Sequence, residues 1–142
     1  MKNFNFFISY FALVIFTTSA CINEPLIINE VVEIDFRERT TIPLANLNIE
    51  FAEILEESRC PIGANCIQAG RARVQLKIAP ILPSQVDTLS SIIEIPGLSE
   101  EVGLDTVDNF IITLMELTPY PDVQNPASFE NDKTVKLKIE SL

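Results

Sequence analysis

A chain of 142 residues with no histidine, and with 20 acidic against 10 basic side chains, excludes a good deal before any motif is read. Its formal charge of −10 repels nucleic acid and anionic lipid headgroups, so neither a nucleic-acid partner nor a polybasic membrane attachment is expected. Without an imidazole, Ser–His and Cys–His nucleophile systems and histidine-ligated metals are excluded as well.

In chain order, the first segment reads as an export signal. Met1-Lys2-Asn3 is a short, positively charged start, and residues 4–16 are almost wholly apolar. About a dozen apolar residues fall short of the ~20 that span a bilayer, so a secretory segment fits better than a membrane helix. Thr17-Thr18-Ser19-Ala20 then supplies the small residues a signal peptidase needs. Ser19-Ala20-Cys21 resembles the lipobox of bacterial lipoproteins, with Thr18 standing where an aliphatic residue is usual. The resemblance implies that the Cys21 sulfur carries diacylglycerol, that the chain is cut before it, and that the new amino group is acylated. Ordinary cleavage after Ala20 and an uncleaved anchor are the alternatives.

The expected organisation is a signal peptide over 1–20, a lipidated N-terminus and tether over 21–26, and one domain over 27–142. Two or three acyl chains, at ~0.8 kcal/mol per buried CH₂, would hold the protein to its membrane essentially permanently. Ile22 follows Cys21 where an aspartate would signal inner-membrane retention in enteric-type sorting, so the outer membrane is the expected address. About 120 residues remain after cleavage, enough for one self-supporting core.

The remainder reads as strands separated by proline and polar turns. Leu26 to Phe36 opens the fold, with Val32, Ile34 and Phe36 alternating against Glu33 and Asp35. Arg37-Glu38-Arg39 is a turn. Thr40 to Leu44 is a short edge strand, because Pro43 cannot donate to a central ladder. Leu47 to Leu55 places Leu47, Ile49 and Phe51 on one face and then slips phase at Ala52-Glu53, the mark of a β-bulge. Arg71 to Lys77 has the cleanest period of two, with Ala72, Val74, Leu76 and Ile78 inward and Arg71, Arg73, Gln75 and Lys77 outward.

Pro80 and Pro83 end that strand, and Leu89 to Ile95 is the next, closed by Pro96-Gly97. Leu98 to Asn109 reads as an acidic connection with one helical turn. Phe110 to Leu117 is nearly continuous apolar, which predicts a strand buried on both faces. Pro119-Tyr120-Pro121-Asp122 turns the chain, a loop runs to Asp132, and Thr134 to Glu140 points Val135, Leu137 and Ile139 inward. The fold class expected is all-β: a single small antiparallel β-sandwich, immunoglobulin-like in size, with a small barrel as the alternative.

Cys60 and Cys66 are an even pair once Cys21 is set aside. The residues between them, Pro61-Ile62-Gly63-Ala64-Asn65, can turn the chain back on itself. In an oxidising compartment this predicts a structural disulfide. A redox pair would more often be spaced C-x-x-C, and two thiolates alone make a poor zinc site.

Residues 55–76 resemble a recurring disulfide-loop pattern of small uncharacterised bacterial secreted proteins and lipoproteins. The matching positions are Ser58, Arg59, Cys60, Pro61, Gly63, Cys66, Ala69, Gly70, Ala72 and Val74, and residues 114–121 are similar to the same group. The resemblance implies a β-rich fold and an exported location, and it brings no catalytic residue. Where the group usually has tryptophan, this chain has Gln68, which weakens any idea of an aromatic binding platform there.

Three features could carry a function. The disulfide loop, with Arg59, Pro61, Ile62, Gly63, Ala64 and Asn65, is a candidate interaction loop. A rigid loop loses little entropy on binding, as in loop-type protease inhibitors. Glu100, Glu101, Asp105, Asp108 and Asn109 offer oxygens for calcium but lack a D-x-D-x-D-G spacing, so a solvated loop is the plainer reading. A carboxylate pair could run glycoside hydrolysis, but a domain this small leaves little room for a cleft, and no enzymatic activity is expected.

No cofactor is expected either. The expected partners are the membrane, through acyl chains on Cys21, and an envelope protein or ligand. The function read from the chain is a noncatalytic interaction or structural module, with the loop-presenting inhibitor as the alternative. Ile62 should be exposed in the second case and packed in the first.

Overall fold

The computed structural model describes residues 28–81, 88–97, 102–125 and 130–142. Alternating apolar and polar residues there form eight strands: β1 (Asn29–Asp35), β2 (Arg39–Ile42), β3 (Leu47–Glu57), β4 (Arg71–Pro80), β5 (Leu89–Pro96), β6 (Gly103–Val107), β7 (Phe110–Thr118) and β8 (Thr134–Ser141). They make two four-stranded antiparallel sheets, β1-β8-β7-β6 and β2-β3-β4-β5. No closed barrel forms, and the fold is a small β-sandwich. The expected signal segment 1–20, Cys21 and the expected tether 21–26 lie outside the described residues, as do Pro83, Glu100 and Glu101.

Side chains from both inner faces meet in one core, to which the period of two delivers every second residue. Ala72, Val74, Leu76 and Ile78 of β4 are buried as their alternation requires, and so are Val135, Leu137 and Ile139 of β8. Phe36 and Phe51 meet edge to face at 5.4 Å. The β3–β4 register shifts between Phe51 and Glu53, where the phase slip predicts a bulge, and again between Ile54 and Glu56. β2 lies at a sheet edge, as expected, but it ends at Ile42, and Pro43 stands in the turn that follows. On the outer face of its sheet, opposite charges stand across neighbouring strands: Arg39–Glu50 at 2.7 Å, Lys77–Glu50 at 3.6 Å and Arg71–Glu56 at 2.9 Å.

Two expectations are corrected. The acidic connection contains a strand, β6, and no helical turn among its described residues. Its inward positions are Gly103, Asp105 and Val107, so an apolar alternation is not visible in the sequence. Asp105 is tolerated there because the buried Ser91 hydroxyl donates to it at 2.6 Å. β7 is buried on one face, through Ile112, Leu114 and Leu117, while Met115 is exposed and Ile111 and Thr113 are half-buried. A register shift between Leu114 and Glu116 lets Leu117 return to the core.

Candidate binding site at the disulfide-loop end

One end of the sandwich gathers the end of β3, the loop 58–70, the end of β5 and the connection after β7. Hairpin pairing continues past β3, since the Ser58 N–H donates to Arg71 O and the Cys60 N–H to Ala69 O, both at 2.8 Å. Between these rungs and the loop tip the Cys60–Cys66 disulfide closes the chain, with the two Cα atoms 6.0 Å apart. The loop then reaches across to the other sheet. The Ile62 N–H donates to Pro121 O at 2.8 Å and the Val123 N–H donates to Ile62 O at 3.2 Å, a one-residue parallel bridge.

Beneath this loop lies a charged cluster. The Arg59 side chain is 3% exposed and grips Glu57 with two donors, Nε to Oε1 at 2.7 Å and Nη2 to Oε2 at 2.5 Å. Its Nη1 donates to the Leu117 carbonyl at 3.1 Å, and its guanidinium lies over the Tyr120 ring at 4.4 Å. Lys133, equally buried, donates to Glu57 Oε2 at 3.2 Å and to Pro119 O at 2.5 Å. Burial pulls the Glu57 carboxyl upward, but the hydrogen bonds and charges of Arg59 and Lys133 outweigh it and hold the group below the ordinary glutamate value. The cluster joins β3 of one sheet to the β7–β8 connection of the other.

Beside the cluster is an open groove of about 350 Å³, walled by Ile62, Ile95, Pro96, Leu117, Tyr120 and the edge of Arg59, with Glu116 as its carboxylate. The Tyr120 hydroxyl is buried and makes no hydrogen bond among the described residues. A second, polar depression of about 400 Å³ lies around Glu56, Ser58, Gln68, Gly70 and Arg71. Gln68, where the resembled pattern has an aromatic, is therefore on a polar wall.

The candidate interaction loop divides in two. Ile62 is 59% exposed, and Gly63, Ala64 and Asn65 are exposed with it, while Pro61 is half-buried. Arg59 is not displayed at all, because its guanidinium neutralises a partly buried carboxylate and caps a carbonyl. That is a correction to its place in the loop's contact surface. Sequence reasoning missed Glu57, Lys133 and Tyr120. The similar Pro-Tyr-Pro run was a signal for Tyr120, whereas Lys133 stands far away in sequence beside a terminal strand with nothing to mark it. Of the acidic segment, Asp105 is engaged by Ser91, and Asp108 occupies a turn with φ of 52°. Among the described residues no three Cys, Asp or Glu side chains converge as a metal site would require.

The chain matches no family model, no curated protein and no solved structure.

Proposed function

We propose that the chain is a lipid-anchored, noncatalytic binding module of the cell envelope, held to the outer membrane through acyl chains on Cys21, with the disulfide-loop end as its binding surface. The observation that carries this reading is the division of labour at that end. The charged residues are spent on one another and on backbone carbonyls, while the apolar groove between Ile95 and Tyr120 remains accessible. Glu57 stays ionised with both oxygens engaged, which suits a latch and not a proton donor. An apolar recess rimmed by a few polar groups is the usual form of a recognition site.

Two measurements test it. Cys21→Ser should abolish incorporation of labelled fatty acid and move the protein from the membrane fraction to the soluble one, and a mutant that partitions like the parent ends the anchor reading. A photo-crosslinking residue at position 62 should capture an envelope partner in intact cells, and one at exposed Thr41, on the edge strand β2, should not. Equal capture at both positions would remove the assignment of the face.

The exposure of Ile62 on a closed loop is the outcome expected of the inhibitor reading and not of the module, for which that residue is expected to be packed. A protease-binding loop, however, offers an extended backbone to the enzyme. Here the N–H and carbonyl of Ile62 are already bonded to residues 121 and 123, and Gly63 turns at φ 82°. A panel of serine and cysteine proteases separates the two readings, because a loop inhibitor blocks at least one of them at stoichiometric amounts and a plain binding module blocks none.

A further inference from the structure

The two ends of the sandwich differ, and the end opposite the disulfide loop is the one from which the anchor departs. β1 begins at Asn29 beside the end of β8, where the Ser141 N–H donates to Ile28 O at 3.1 Å. The same end holds the β2–β3 turn over 43–46, the end of β4 and the start of β5. There the Ile81 N–H donates to Asn46 O at 3.0 Å, and Leu89 stands opposite Ile78 in the ladder. Three large apolar side chains are exposed on this corner of one sheet: Leu44 at 60%, Leu89 at 42% and Ile81 at 37%. Among the described residues, the nearest charges along β3 and β4 are Glu50 and Lys77, which face each other at 3.6 Å. The other sheet's corner carries the exposed Asp108 and Leu142.

We infer that the corner formed by Leu44, Ile81 and Leu89 rests on the lipid surface, so that the loop end and its groove point away from the membrane. The inference rests on the anchoring of Cys21. Six residues lie between Cys21 and Ile28, and the seven Cα-to-Cα steps reach at most about 25 Å in any conformation. The tether leaves from the Leu44 end, whereas the Ile62 end lies a further strand length away, about 23 Å for β1. Bringing the loop end to the lipid would need the tether fully extended along the whole domain. Three apolar side chains bind lipid weakly by themselves, but a short tether makes the contact intramolecular and raises its effective concentration.

The chain contains no tryptophan, so single tryptophans report depth without background. The full-length gene product carrying Leu44→Trp, Ile81→Trp or Ile62→Trp would be purified from membranes and reconstituted in vesicles with brominated acyl chains. All three positions are exposed, and unchanged circular dichroism verifies folding. Bromine should lower the emission at 44 and 81 at least twofold and leave position 62 unaltered. No quenching at 44 and 81, or equal quenching at 62, overturns the orientation. Mass spectrometry of the same preparations reads acylation of Cys21 separately. If that thiol is unmodified, it is the one cysteine outside the disulfide, and a maleimide phospholipid attached to it allows the same quenching to be read.

Discussion

Arg59 and Lys133 are two cations sharing the Glu57 carboxylate in a nearly dry wall, and residue types decide whether such a wall can exist. The arrangement needs arginine at 59. A planar fork grips both carboxylate oxygens, leaves a third donor for the Leu117 carbonyl, and lays its face on Tyr120. Lysine in its place would keep the charge and lose the geometry. Removing one partner of a buried pair strands the others, so Glu57→Gln and Arg59→Leu should each lower stability by roughly 3 kcal/mol in urea unfolding. A change under ~0.5 kcal/mol in either would show that the cluster is incidental.

The folded protein keeps Glu57 ionised at a pH where the unfolded chain has begun to take up a proton. Its contribution is therefore complete above the ordinary value of 4.5 and disappears as pH falls through the lowered folded-state value. Glu50, held down first by its hydrogen bond from Arg39, acts in the same direction. Thermal melts should accordingly drop steeply below about pH 4.5, and Glu57→Gln should flatten that acid limb.

The β3–β4 hairpin is the element on which the site depends. Its ladder sets the register that buries Ala72, Val74, Leu76 and Ile78, and a slip of one residue would turn all four to water. The return strand follows Gly70, where φ is 70° and an added Cβ would meet Ser58 O at 1.7 Å. Gly70→Ala therefore combines a disfavoured backbone with a backbone clash and should cost on the order of 3 kcal/mol. The disulfide acts chiefly on the unfolded chain, whose freedom it restricts. Replacing Cys60 and Cys66 with serine should lower stability by roughly 2 kcal/mol, a loss of about 5 °C in Tm. The Ile62 bridge and the hairpin rungs should preserve the fold in that variant. Thiol titration of the native, unreduced protein checks the premise, since neither of these two cysteines should react.

Across the whole molecule, one core takes side chains from both sheets, and the Arg59 cluster and the Ile62 bridge add polar ties between them at one end. The two sheets should therefore melt together. Calorimetric and van't Hoff enthalpies should agree, and two resolved transitions would contradict a shared core. Leu137, fully buried in the central strand β8, reports on that core, and Leu137→Ala should cost roughly 2–5 kcal/mol. The start of β1 and the latch with its groove stand at opposite ends of the sandwich.

The all-β class, the inner faces of β4 and β8 and the bulge in β3 were legible in the chain. Each rests on a local rule: a period of two or a phase slip. The Cys60–Cys66 pairing was legible because a short spacing and two turn-tolerant residues leave few other outcomes. β6 was hidden because its inward positions hold Gly103 and Asp105, and only Ser91, fourteen residues away, makes an inward aspartate acceptable. The single-sided burial of β7 depends on which sheet it joins and what covers its outer face. The latch was invisible for the same reason, because Lys133 and Glu57 are 76 residues apart and nothing local to either marks the other. The exposure of Ile62 beside the burial of Arg59, three positions earlier, is likewise a product of packing. Period and spacing constrain neighbours along the chain, but which distant groups share a dry wall is decided only when the two sheets close on each other.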